Sequence, residues 1–237
     1  MNTNAYSICS TLLMRAGCCC CLAILLIAKP ACGSPKTLGD HLLPVDESGI
    51  GSQYRTVVNK QLLVTPGELA RCVWLPGNVG TEGTVSLYKS TRKNSSGKSE
   101  YKMTVTQASK PLWEEFYKGV TQTRIPVTRF DLSVPEGMAL AISDLWRAML
   151  VRVSDSPRDN SISLDSSTEL FSATVAGHET IGRLDKNPAN RNSLELLDIA
   201  NSMLEYFNYP ESERPQRAKQ IQRRASALKE RVEADHK

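Results

Sequence analysis

Apolar and polar positions alternate with a period of two along several short stretches of the chain. Tyr101, Met103 and Val105 alternate against Lys102, Thr104 and Thr106, and Phe130, Leu132 and Val134 against Arg129, Asp131 and Ser133, the pattern of half-buried strands. A mixed run from Leu69 to Leu75 and an alternating one from Thr84 to Ser90 flank the breaker cluster Pro76-Gly77-Asn78-Val79-Gly80, which predicts a strand pair. The polar loop from Arg92 to Ser99 then predicts a hairpin into Tyr101. Ile162 to Leu164 and Leu170 to Val175 flank Asp165-Ser166-Ser167-Thr168 as a further hairpin. Beyond it, Gly177, Gly182, Asn187, Pro188 and Asn190 predict a loop.

Helical spacing appears between and after these stretches. Leu112, Trp113, Phe116 and Val120 predict a short helix over Lys110 to Val120, behind Pro111. The strongest stripe is Met138, Ile142, Leu145, Trp146, Met149, Leu150 and Val153, where Ser133 and Glu136 have the spacing of a capping box. A helix from Ser193 to Tyr209 buries Leu196, Leu197, Ala200, Met203, Leu204 and Phe207 and stops at Pro210, and a last helix spans Glu213 to Ala234. Strands in series with interspersed helices give an α+β fold: a mostly antiparallel sheet of about five or six strands packed by three or four helices in a single domain.

The first thirty residues follow neither period. Met14-Arg15-Ala16-Gly17 leads into the apolar run Cys18 to Ala28, and then into Lys29-Pro30-Ala31-Cys32-Gly33-Ser34. A basic start, a short apolar core and a small-residue exit are the parts of a cleavable signal peptide. The run is too short to cross a hydrocarbon core, which takes about twenty apolar residues. Ala31-Cys32-Gly33 sets the cut after Gly33, and translation starts at Met1 or at Met14, where a complete signal begins. The organisation read from sequence is therefore a signal peptide over residues 1–33, a flexible leader rich in Pro and Gly over 34–53, an α+β domain over 54–209 and an amphipathic basic helix over 210–237. This predicts a periplasmic or secreted protein. The alternative is a membrane-anchored lipoprotein, held to a membrane surface through an acylated cysteine, but Lys29 and Arg15 stand three positions before Cys32 and Cys18, where lipoprotein signals prefer a Leu-like residue.

Composition changes this picture little. An apolar share of 41% and a charged share of 23% exclude wholesale disorder and multiple membrane spans. Of seven cysteines six precede Gly33, so Cys72 stands alone in the mature domain and has no internal disulfide partner. An exported domain with one cysteine fits a bacterial envelope better than a eukaryotic ectodomain.

No motif supplies a cofactor or a metal. His178-Glu179-Thr180-Ile181-Gly182 begins like the zinc-protease pattern, but Gly182 stands where the second imidazole belongs. Gly49-Ile50-Gly51-Ser52-Gln53-Tyr54 imitates a dinucleotide loop without its third glycine or a preceding strand. Cys72 activated by His178 would make a nucleophile, and Glu114 with Glu115, or Asp165 with Glu169, would make a carboxylate pair. Cys72 also lies at strand spacing between Ala70 and Trp74, where a free thiol is ordinarily a small buried hydrophobe.

The last helix carries the one pattern that points to a partner. Ala218, Ile221, Ala225, Leu228 and Val232 recur by three and four, and Arg217, Arg224 and Arg231 each precede the first apolar residue of a heptad. From Glu213 to Lys237 the net charge is +4, equal to that of the whole chain. Arg217, Arg224, Arg231, Ile221 and Leu228 are therefore the candidate partner-binding residues, for an envelope protein or a second copy of the chain, with docking against the protein's own core as the competing reading. No aromatic residues interleave these arginines, so nucleic acid is not an expected partner. The function expected is that of a non-enzymatic, exported, protein-binding or envelope-associated protein. Its alternatives are an exported hydrolase with a dispersed active site and an inhibitor or immunity-type binder of an envelope enzyme.

Overall fold

The strands line up in the order β1-β7-β6-β2-β3-β4-β5, every neighbouring pair antiparallel. They are β1 (Leu43–Pro44), β2 (Ala70–Leu75), β3 (Gly83–Lys93), β4 (Ser99–Ala108), β5 (Val127–Val134), β6 (Thr168–Val175) and β7 (His178–Arg183). Among the described residues five helices accompany them: α1 (Gly49–Gln61), α2 (Leu112–Tyr117), α3 (Glu136–Leu150), α4 (Arg191–Tyr206) and α5 (Arg214–Ala234). This computed structural model describes residues 42–45, 49–62, 68–76, 80–93, 97, 99–119, 124–153, 167–184 and 190–235. The fold is the α+β class expected, but among the described residues the antiparallel sheet has seven strands and not five or six, and the helices number five and not three or four. The signal peptide, Asp165 and the strand expected at 162–164 lie outside the described residues.

Side-chain alternation divides the sheet into two faces with separate cores. Ala70 and Cys72 of β2, Val85 and Leu87 of β3, Tyr101 and Met103 of β4, and Phe171 and Ala173 of β6 turn to one face and join α3, α4 and α5 in the larger core. Trp146 anchors α3 there: fully buried, it lies 5.4 Å from Phe171 and donates its indole N–H to the Arg71 carbonyl at 3.1 Å. The stripe expected on this helix, Met138 to Val153, is buried throughout. On the other face Val73, Ala108 and Leu170 meet Tyr54, Val58 and Leu62, Leu112 and Ile125 in a smaller core beneath α1 and α2.

Several local expectations need correction. The leader holds both β1 and the start of α1, and Leu42 is fully buried beside Gly182. Two glycines in the first turn mask the helix, whose burial rests on Tyr54, Val58 and Leu62 at four-residue spacing. The loop expected around Gly177 is a hairpin: Ala176 and Gly177 both have positive φ and join Val175 to His178, which is what a two-residue turn between twisted strands requires. The capping box does not form, because β5 continues through Val134 and Pro135 is the N-cap; Ser133 instead donates across the ladder to Glu100. The helix expected over Lys110 to Val120 is confined to Leu112–Tyr117, where Gly119 has positive φ.

Candidate functional site

The C-terminal heptads close on the protein itself. Ala218, Ile221, Ala225, Leu228 and Val232 are all buried in the larger core, so Ile221 and Leu228 are not surface residues. The arginine flank faces the preceding helix. Arg217 lies over the Tyr209 ring at 4.4 Å, and Arg224 donates to Ser202 at 3.1 Å with Asp198 3.9 Å away. Arg231 donates to Asn192 at 3.0 Å and pairs with Glu195. Tyr209, Ser202 and Glu195 descend by sevens as Arg217, Arg224 and Arg231 ascend by sevens, which is how flanking positions match in an antiparallel helical hairpin. Charge, ring and amide partners on α4 and its C-terminal end absorb the arginines that the sequence offered to a partner.

Cys72 and His178, weighed as a nucleophile and its base, do not meet. Cys72 is fully buried, and burial reinforced by the Glu169 carboxylate pushes its thiol well above the ordinary range, the reverse of nucleophile activation. His178 is exposed at the first position of β7, two strands across and four residues along from Cys72 in register. At about 4.8 Å per strand and 3.3 Å per residue, the two backbones are roughly 16 Å apart. Glu115 is engaged by Lys110 at 3.1 Å, and Glu114 lies 3.5 Å from Lys118.

Arg71, on the central strand β2, is a buried charge on the face away from α3. Its guanidinium holds Glu68 at 2.9 Å and Glu179 of β7. Ser172, Ser86, Thr104 and Asp131 continue its row across β6, β3, β4 and β5. This row binds strands to one another. Thr104 donates to Asp131 at 2.5 Å, and partial burial, which opposes the Asp131 charge, is outweighed by that bond and by Arg129, so the carboxyl sits below its ordinary value.

A different cluster reaches the surface. Glu82, just before β3, is fully buried, and its carboxylate accepts three hydrogen bonds: from the Tyr54 hydroxyl of α1, from Leu112 N at 2.7 Å and from Trp113 N at 3.1 Å in α2. The two backbone donors are free N–H groups of a first helical turn, where a negative charge is favoured. Burial, and then the hydrogen bond to Glu82, raise the Tyr54 phenol far above its usual range and keep it a donor. One carboxylate thus fixes two helices to the sheet, and aromatic side chains build outward from it. Tyr54 packs on Trp113 and Phe116, each at 5.4 Å between ring centres, and Trp113 and Phe116 in turn contact Tyr117. Tyr117 is 55% exposed, and Ile50, one turn before Tyr54 on the same stripe of α1, is 52% exposed. The chain has 3 Trp, 7 Tyr and 4 Phe, and four of these aromatics meet here.

Sequence pattern gave Trp113 and Phe116 as a helix face but not as part of a surface cluster. The signal for Glu82 is slight, since its partners lie 28 to 31 residues away in sequence. Among the described residues no helix is long and apolar enough to cross a membrane, and no group of three or more His, Cys, Asp or Glu side chains is placed to hold a metal ion. No family model matches the chain, and no curated protein or solved structure is significantly similar to it.

Proposed function

We propose that this protein is exported and acts without catalysis, binding a partner protein through Ile50 and the aromatic side chains of Trp113, Phe116 and Tyr117. The supporting observation is the partly exposed aromatic cluster held by buried Glu82. Large rings already fixed in place lose little freedom when a partner covers them, and Trp and Tyr are the residues that most often dominate binding energy. Tyr117 and Ile50 supply apolar area still in water, while Tyr54 and Glu82 supply rigidity. Export rests on the signal-like residues 1–33. The partner reading moves from the C-terminal helix to α1 and α2 because the helix is occupied by its own fold.

The experiment is affinity capture from envelope extract with the wild-type protein and with an Ile50→Ser/Tyr117→Ser variant, both checked for an unchanged circular dichroism spectrum. A partner held by the wild type and lost by the variant is expected. Equal retention by both forms removes the aromatic surface from consideration. Turnover of an envelope substrate that disappears on one side-chain change overturns the non-enzymatic reading, and recovery of the protein from the cytoplasm in uncleaved form overturns export.

A further inference from the structure

The two edges of the sheet are unlike. One ends in the two-residue strand β1, the other in the eight-residue strand β5, and a long edge with open backbone groups is a template for another strand. Five consecutive or near-consecutive residues of β5, Thr128, Arg129, Phe130, Asp131 and Ser133, are exposed, and Phe130 is 57% exposed, the most of any large apolar side chain among the described residues. Arg129 and Asp131 point to the face opposite Phe130 and bond each other at 3.2 Å, so the edge carries both charges at no net cost in sign.

We propose that β5 pairs antiparallel with β5 of a second copy of this chain about a two-fold axis at Phe130, joining two seven-stranded sheets into one. The pairing must keep each residue opposite one of the same face, which leaves registers differing by a shift of two in the sum of paired positions. With Phe130 opposite Phe130, Arg129 faces Asp131 of the second copy and Asp131 faces its Arg129, while Thr128 faces Leu132 on the helix side. The next register one way sets Asp131 against Asp131, and the next the other way sets Arg129 against Arg129. Opposed like charges are unfavourable across a ladder and opposed unlike charges favourable, so charge selects the Phe130-centred register. Pro126, which has no N–H, ends the ladder, and pairing runs over residues 127–133 of each copy. A two-fold axis normal to the sheet keeps α3, α4 and α5 of both copies on one side. The proposal is independent of the aromatic surface and uses none of its residues.

The test is sedimentation velocity of the purified full chain over a micromolar to submillimolar series. The wild type is expected to dimerise reversibly. Arg129→Asp places two acidic residues opposite each other at two positions of the dyad and should weaken the dimer on the order of tenfold or more. The double variant R129D/D131R restores unlike charges in the same register and should restore the dimer. Phe130→Asp should abolish it. All these side chains are exposed, so circular dichroism should be unchanged. A wild type that is monomeric throughout the series overturns the proposal. So does a dimer indifferent to R129D and F130D, or an R129D defect that the charge swap does not repair.

Discussion

Replacing Glu82 should be among the most destabilising single changes outside the larger core. Its carboxylate has no solvent exposure and holds the Tyr54 hydroxyl, Leu112 N and Trp113 N. A hydrogen bond to a charged group contributes about 1.5–3 kcal/mol net, and each buried donor left without an acceptor costs about 1–3 kcal/mol. Three such terms are not additive, and losing the buried charge relieves its own desolvation, so the expected loss for Glu82→Ala is about 3–5 kcal/mol. Glu82→Gln keeps the volume and one good acceptor but turns an amide toward the remaining donors, for an expected loss of about 2 kcal/mol. Against a typical total of about 5–15 kcal/mol the first variant is marginal only if the wild type lies at the low end of that range, and the second folds normally.

Urea unfolding followed at once by far-ultraviolet circular dichroism and by tryptophan fluorescence reads this directly. Trp113 lies beside Glu82 and Trp146 in the other core, so the two faces are reported together. Tyr54→Phe removes one of the three donors, and the Tyr54→Phe/Glu82→Gln cycle should show a coupling of about 1 kcal/mol. A loss for Glu82→Ala below about 1 kcal/mol, smaller than one ordinary hydrogen bond to a charged group, would refute the anchoring role.

Three further outcomes follow from packing and charge. A Cβ on Gly182 would stand 2.8 Å from Leu42 Cβ and 2.9 Å from Val153 Cγ2, so Gly182→Ala should lower stability by about 1–3 kcal/mol in the same urea assay. Truncation after Pro210 uncovers the core that Ile221, Leu228, Val232, Ala218 and Ala225 fill; at about 1.5–3 kcal/mol for each large apolar side chain it should abolish the cooperative transition in calorimetry. Asp131, with its carboxyl held low, contributes stability above its unfolded value near pH 3.9 and loses it as pH falls through the lower folded value. Its side chain is 45% exposed, so the contribution is under about 1 kcal/mol and is better read by an NMR titration, in which Thr104→Val should move the Asp131 midpoint upward.

Period-two alternation made β4 legible because Tyr101 and Met103 turn to the large core while Lys102, Thr104 and Thr106 turn away. Thr104 and Thr106 are nevertheless buried, so alternation marks which face of the sheet a residue serves rather than whether water reaches it. β7 escaped because its sequence is polar at most positions and its partner β6 supplies the apolar side of the hairpin. α1 escaped because Gly49, Gly51 and Ser52 have low helix propensity and only tertiary burial of Tyr54, Val58 and Leu62 holds it. The aromatic cluster was illegible for a similar reason: α1 and α2 meet around Glu82, whose partners lie 28 to 31 residues away in sequence.

The C-terminal helix separates what a repeat can say from what it cannot. The sequence shows its heptads and the arginine beside each one, but a narrow apolar seam with a charged flank fits any antiparallel neighbour, internal or foreign. What decides between them is whether an adjacent helix carries the matching heptad in reverse. Residues 195, 202 and 209 do, as Glu, Ser and Tyr, and a connection of only residues 207–213 brings α5 back along α4. The edge strand β5 poses the same question, and among the described residues no strand pairs with its outer side. There the complementary row is its own, because Arg129 and Asp131 match each other when the strand is turned about Phe130, and the partner that satisfies it is another copy of the same sequence.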